Sequence, residues 1–188
     1  MQYHAECIFP NLIHVVESEV DTVIKDHCLN KKLNNPTGVF KTNCGGWQSA
    51  SETDGIITNK LYELIKPIQQ NFGRRLEIIE SWININSTGS FNSKHFHSGC
   101  NLAGVYYVNV PENSGNLFFE NPQAFQCFNE IDSYRPEVKE EWGQHLERCI
   151  TPMNGLLIVF PSYISHGVTP NQSKEDRISI SFNIRVIG

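Results

Sequence analysis

The sequence predicts a mainly β fold, a sandwich or barrel with helices packed on one side. Three observations predict it. Two segments of helical period occupy the first third of the chain. After Gly73 the hydrophobic period falls to two. The last strand, Arg177 to Val186, turns Ile178, Ile180, Phe182 and Ile184 to one side and Arg177, Ser179, Ser181 and Asn183 to the other. A strand with one wholly apolar face usually backs onto helices.

The elements follow in order. Glu17 to Leu29 carries Val20, Val23, Ile24 and Cys28 at helical spacing, with Asn30 as the stop. Asn34 to Gly38 and Asn43 to Gly46 read as turns. Thr58 to Phe72 predicts a second helix with Leu61, Leu64, Ile65 and Ile68 on one face. Pro67 is expected to kink or divide it, and Gly73 to end it. From Leu76 to Asn86 the pattern alternates, Ile79, Ile83 and Ile85 on one face, Trp82, Asn84 and Asn86 on the other. Ala103 to Val110, Asn116 to Phe119 and Leu156 to Phe160 are further strands. Residues 121–150, with Pro122, Pro136, Tyr134 and Trp142, read as an insertion between strands that forms a lid or a substrate wall. For the polar face of the last strand, solvent is the simpler expectation and a polar cavity the other.

Length and charge bound the function. The 188 residues and 21.4 kDa suit one domain, here 1–188, with 1–75 as a helical support region and 76–188 as the β core. Roughly 70% of the unfolded surface is buried at this size. Lys+Arg 15 against Asp+Glu 20 gives a net charge of −5. That argues against nucleic acid or an anionic membrane as partner, and Lys31, Lys32 and Lys41 are too few to reverse it. No apolar run approaches the ~20 residues of a membrane span. The first residues, Met1 to Glu6, lack a basic segment followed by an apolar one, so no signal peptide is expected. Six cysteines (7, 28, 44, 100, 127 and 149) are spread singly, without Cys-x-x-Cys. Reduced thiols in a cytosol are the expectation.

The strongest chemical signal is Lys94-His95-Phe96-His97-Ser98. Residues two apart leave a strand on the same face, so both imidazoles reach one metal ion. Taken alone, such a pair is more often incidental. His166 improves the case, because it follows the apolar strand Leu156 to Phe160. Two ligands from one strand and a third from a distant one make a three-ligand face with open positions opposite, which suits non-haem iron. Arg177 lies eleven residues after His166, with Ser179 on its face. A guanidinium fork beside a hydroxyl is suited to gripping a carboxylate. The plainer reading pairs Arg177 with Glu175 or Asp176.

From Trp82 onward these residues resemble the iron(II)/2-oxoglutarate-dependent oxygenases, in particular the prolyl-hydroxylase-like branch. Asn86-Ser87-Thr88-Gly89-Ser90 followed by His95 resembles the lead-in to the first iron ligand. Val105-Tyr106-Tyr107-Val108-Asn109 and Ser114 to Phe119 resemble two of the family's strands. Gly155 to Ser162, through His166 to Arg177-Ile178-Ser179, resembles the distal ligand strand and the carboxylate anchor. The first 80 residues resemble the helical N-terminal part of a small bacterial and phage subgroup, where a stretch like Gly46 to Ser49 recurs.

The resemblance implies a double-stranded β-helix, a jelly-roll or cupin-like barrel, with Fe(II) and 2-oxoglutarate in its mouth. It matches His95 and His166 to the two histidine ligands. Arg177 and Ser179 match the anchor of the distal carboxylate. Asn86 stands where many members touch the cosubstrate, and Tyr107 matches an inward aromatic. It implies hydroxylation of a C–H bond in a peptide or small molecule by O2, with release of succinate and CO2. No general acid or base is assigned. One position departs: the family has His-x-Asp or His-x-Glu, and here His97 fills the acidic place. The third ligand is then His97, which we favour, a water, or Glu120. Two other readings stand beside this one. A cupin-type dioxygenase without cosubstrate would use three histidines, but no Glu follows His97 at the cupin spacing. A barrel used only for binding would not need both aligned histidines together with Arg177 and Ser179.

Overall fold

The computed structural model describes residues 2, 4, 7, 10–20, 22–52 and 55–188, with Cys127 and Phe128 described by their backbone only. Residues 1, 3, 5 and 6 of the segment read for a signal peptide lie outside the described residues, as does the side chain of Cys127. Two antiparallel sheets face each other. The strands are β1 (His14–Glu17), β2 (Asn43–Cys44), β3 (Trp47–Gln48), β4 (Arg75–Asn86), β5 (Phe91–His95), β6 (Leu102–Asn109), β7 (Leu117–Glu120), β8 (Glu147–Ile150), β9 (Leu156–Pro161), β10 (His166–Val168) and β11 (Arg177–Ile187). The larger sheet runs β1-β9-β6-β11-β4-β3 and the smaller β2-β5-β10-β7-β8. From β4 to β7, and again from β9 to β11, consecutive strands alternate between the sheets. That winding is the double-stranded β-helix.

The helices α1 (Thr22–Asn34) and α2 (Gly55–Gln69) belong to the larger sheet. Ile57, Leu61, Leu64, Ile65 and Ile68 of α2 form one core with Ile83, Ile85, Ile178, Ile180, Phe182 and Ile184. A second core fills the space between the sheets with Val105, Leu117, Phe119, Ile158 and Phe160. The long strands β4 and β11 therefore carry two environments, one on each face.

Several expected boundaries move. The chain at Glu17 is strand, because His14–Glu17 pairs with Leu156–Val159 at the edge of the larger sheet. The first helix starts at Thr22 and passes Asn30 to Asn34, with Lys31 and Lys32 in its last turn, where positive charge meets the helix dipole. Val23 points outward; Ile24 and Cys28 are buried. Pro67 neither divides nor ends the second helix. It lies within the last turn, where its missing N–H removes a single bond. The helix ends at Gln69 rather than near Gly73. The Gln69 side chain closes the turn to β4, donating to Arg74 O and accepting from Leu76 N.

The alternation along β4 is broken once. Asn183 pairs with Glu80 but Ile184 pairs with Ile78, so Ile79 is the extra residue of a β-bulge. Ile79 is 37% exposed, and Ile78 packs on the core in its place. The insertion holds α3 (Ala124–Ser133), α4 (Pro136–Trp142) and β8. β8 pairs with β7 and so widens the smaller sheet. The N-terminal region likewise gives β1, β2 and β3 to the sheets as well as two helices.

Candidate metal centre

β5 and β10 bring the histidines together. His95 and His166 are direct cross-strand partners. His97 lies two residues beyond the end of β5, and its N–H donates to Ser162 O at 2.9 Å, which holds the strand direction. Ring centroids are 4.4 Å apart for His95 and His166, 5.1 Å for His95 and His97, and 5.2 Å for His97 and His166. One nitrogen from each ring lies within 4.8 Å of the others, close enough for one ion. The ring of Phe160 meets His166 edge-on at 4.6 Å, and Trp82 stacks on His97 at 5.8 Å.

The protons on two of these rings follow from their partners. His95 Nδ1 lies 2.7 Å from Ser93 O, and His166 Nδ1 lies 2.9 Å from Ile164 O. A carbonyl only accepts, so Nδ1 carries the proton and Nε2 keeps its lone pair. Burial lowers the pKa of all three rings, to about 4 for His97 and about 3 for His166. Neighbouring histidines lower both values further, by repulsion between like charges. Three neutral imidazoles are the protonation state that a transition metal requires.

Further along β11 is a second polar group. Arg177 is 2% exposed and lies opposite Asn86 in the β4–β11 register. Its Nη1 donates to Ser114 O at 2.6 Å, while its Nε is buried without a hydrogen-bond partner. No carboxylate pairs with it among the described residues. The expected alternatives separate here: Asp176 pairs with Lys32 at 3.3 Å instead. A Cβ on Gly115 would lie 3.0 Å from Arg177 Nη1, and φ there is +93°, so this turn needs glycine. Burial pushes the Tyr107 phenol up to about 12, so it keeps its proton. The Tyr107 hydroxyl, Ser114 Oγ and Asn86 Oδ1 are all buried without partners. Ser179 is buried on the face of Arg177. A buried guanidinium beside two unpartnered hydroxyl donors, Tyr107 and Ser114, is the surrounding a carboxylate requires, because an unpaired buried charge is costly.

One interior cavity reaches from the histidines toward this group. Trp82, Asn84, Tyr107, Phe160, Val168 and Ser181 line it. The polar face of β11 therefore meets a cavity and not solvent, against the simpler expectation. Glu120 does not face the histidines: it pairs with Lys94 at 2.9 Å and lines a separate cavity of about 500 Å³, walled by Trp142 and His145 of the insertion. Sequence reasoning passed over Asn84, Ser114, Ser181 and Asn183. Ser181 and Asn183 were legible, since they share the alternating face that carries Arg177.

The family described as "Putative 2OG-Fe(II) oxygenase" matches residues 80–183, more than half of the chain. The chain belongs to this family. It is a non-haem Fe(II)- and 2-oxoglutarate-dependent oxygenase, and the donor set fits both groups: three neutral imidazoles for the metal, a buried guanidinium and free hydroxyls for a dicarboxylate. No curated protein matches the chain. Solved structures share its fold. A prolyl-4-hydroxylase from Pseudomonas putida has a TM-score of 0.59 at 17% identity, over 88% of this chain and 85% of that one. The epimerase SnoN from nogalamycin biosynthesis, α-ketoglutarate dependent, has a TM-score of 0.67 at 14% identity, over 93% and 78%. The viral collagen prolyl hydroxylase of Paramecium Bursaria Chlorella virus-1, solved with 2-oxoglutarate, has 0.58 at 13%, over 97% and 100%. At such identity they establish the double-stranded β-helix. No helix among the described residues is long and apolar enough to cross a membrane.

Proposed function

We propose that this oxygenase holds Fe(II) with His95, His97 and His166, binds 2-oxoglutarate with Arg177, Ser179, Tyr107 and Asn86, and hydroxylates a C–H bond of a peptide or small molecule. The observation that carries the reading is Arg177, a buried cation without an anionic partner, on the strand face that leads to three clustered histidines. When bound, iron and 2-oxoglutarate supply O2 activation, with succinate and CO2 as products. The chain's own part is to bind and orient. The backbone carbonyls of Ser93 and Ile164 hold two imidazoles in the donor tautomer. Arg177, locked on Ser114 O, presents its remaining N–H groups to a carboxylate. Tyr107 stays protonated and donates. Phe160, Leu117 and Val168 keep the cavity wall dry between the two ends.

His97 as third ligand brings no negative charge, so the centre is more electropositive than one with a carboxylate. A peptide substrate is one reading of the fold relatives, which include a Trichoplax adhaerens prolyl hydroxylase in complex with a peptide fragment. The cavity walled by Trp142 lies behind Phe119 and Ile164, which both approach His166, and suits the substrate side. We read 1–188 as one unit, with 1–75 supporting a 76–188 core. Free thiols at Cys7, Cys44, Cys100 and Cys149 favour a reducing cytosol.

The test is succinate formation from 2-oxoglutarate with Fe(II), O2 and ascorbate, in wild type, His166→Ala and Arg177→Leu. Turnover in the wild type and its loss in both variants supports the assignment. Iron binding without succinate would point to a dioxygenase free of cosubstrate. Equal turnover in Arg177→Leu would remove the anchor from this strand.

A further inference from the structure

The three imidazoles are not held alike. His95 and His166 each donate a hydrogen bond from Nδ1 to a backbone carbonyl two residues earlier. His97 has no such bond among the described residues, and side chains surround it instead. Trp82 stacks on its ring. Trp82 pairs in register with Ser181, and Asn183 follows on the same face of β11.

Asn183 is 8% exposed, and its amide orientation is decided by its neighbour. Its cross-strand partner is Glu80, and Nδ2 donates to Glu80 Oε2 at 3.3 Å. The amide oxygen is thus turned away from Glu80. It is buried and has no hydrogen-bond partner. The nearby ring is His97, which stacks on Trp82, and Trp82 lies opposite Ser181, two residues before Asn183 on the same face. Glu80 is placed by the bulge at Ile79, the next residue, and bulges re-aim side chains beside sites. Its other oxygen lies 3.6 Å from Lys41 Nζ, and Lys41 lies 5.9 Å over the Trp82 ring.

We propose that Asn183 and Glu80 are positioning residues for His97: Asn183 Oδ1 accepts a hydrogen bond from the N–H of one ring nitrogen, which leaves the other nitrogen's lone pair for the metal, and Glu80 polarises that amide. The reading rests on the proposed three-histidine centre. It gives the negative charge missing from the ligand set a place one residue further out. Partners behind a metal-bound histidine fix its tautomer and raise its donor strength, and their loss weakens metal binding by about 10–100-fold.

The test uses the intact chain in two measurements: the His97 tautomer of the metal-free protein by long-range ¹H–¹⁵N NMR at pH 7.5, and Co(II) affinity by calorimetry with the visible Co(II) spectrum. Wild type should show one His97 tautomer. Asn183→Leu should mix the two and weaken Co(II) by about tenfold or more, with a changed spectrum. Asn183→Asp keeps an acceptor and should retain the tautomer. Glu80→Gln should weaken Co(II) by a smaller factor, and serves if Asn183→Leu does not fold. A single unchanged tautomer in Asn183→Leu, or Co(II) affinity within about threefold of wild type in both Asn183→Leu and Glu80→Gln, would overturn the proposal. Failure of wild type to bind Co(II) would instead sink the three-histidine centre, and the NMR measurement would still decide whether Asn183 holds His97.

Discussion

Strands β4 and β11 carry two faces with opposite habits. Toward the helices, Ile83, Ile85, Ile178, Ile180, Phe182 and Ile184 are wholly apolar side chains in one core, where the Tyr106 hydroxyl is the buried polar atom left without a partner. Toward the smaller sheet, Asn84, Asn86 and Arg177 are just as buried yet leave Asn84 Oδ1, Asn86 Oδ1 and Arg177 Nε without partners. A fold optimised for stability alone satisfies or removes such atoms. The helix face holds the protein together. The cavity face keeps unmet hydrogen bonds for something to bind.

Substitutions on the two faces should therefore fail differently. Phe182→Ala empties a wholly buried site against Gly104 and should lower unfolding stability by about 3–5 kcal/mol in a urea titration. Where the variant stays folded, its 2-oxoglutarate affinity should change little. Arg177→Leu should do the reverse. Losing a charge-assisted pair of bonds, roughly 3 kcal/mol, lowers 2-oxoglutarate affinity by about 100-fold in calorimetry with Mn(II) present. Metal-free stability should hold or rise, since a buried unpaired cation is removed.

Acid should strike the cavity face selectively. Burial holds His97 and His166 at about 4 and about 3, below the ordinary 6.5 of the unfolded chain. Between those values the unfolded chain binds protons that the folded one refuses, so stability falls as pH falls. The metal-free protein should keep full stability above pH 7 and lose it progressively from about pH 6.5 downward, in thermal melts across that range. The smallest effect belongs to Ser179→Ala. Loss of one hydroxyl beside Arg177 should weaken 2-oxoglutarate about fivefold, near 1 kcal/mol, without moving the melting temperature.

The same contrast explains what was legible in the sequence. Period-two alternation marked β11 and most of β4, because core burial imposes it. It failed at Ile79, where the bulge inserts one residue and lets Ile78 take the inward place. Local propensity also hid β1: His14–Glu17 is a strand only because β9 offers an edge, a long-range pairing invisible in a short window. At the site, His95, His97, His166 and Arg177 were readable because their residue types and order carry chemistry. Ser114 was not read as part of it. Its backbone oxygen holds Arg177, and a backbone role leaves no mark on residue type.

The most direct measurement is an anaerobic titration with Fe(II) and 2-oxoglutarate, following the visible metal-to-ligand charge-transfer band in wild type and His97→Ala. The wild type should show a band that needs both components, and the variant should lose it or show it markedly weakened. A band of full strength in His97→Ala would contradict His97 as the third ligand, and no band in the wild type would contradict the centre itself.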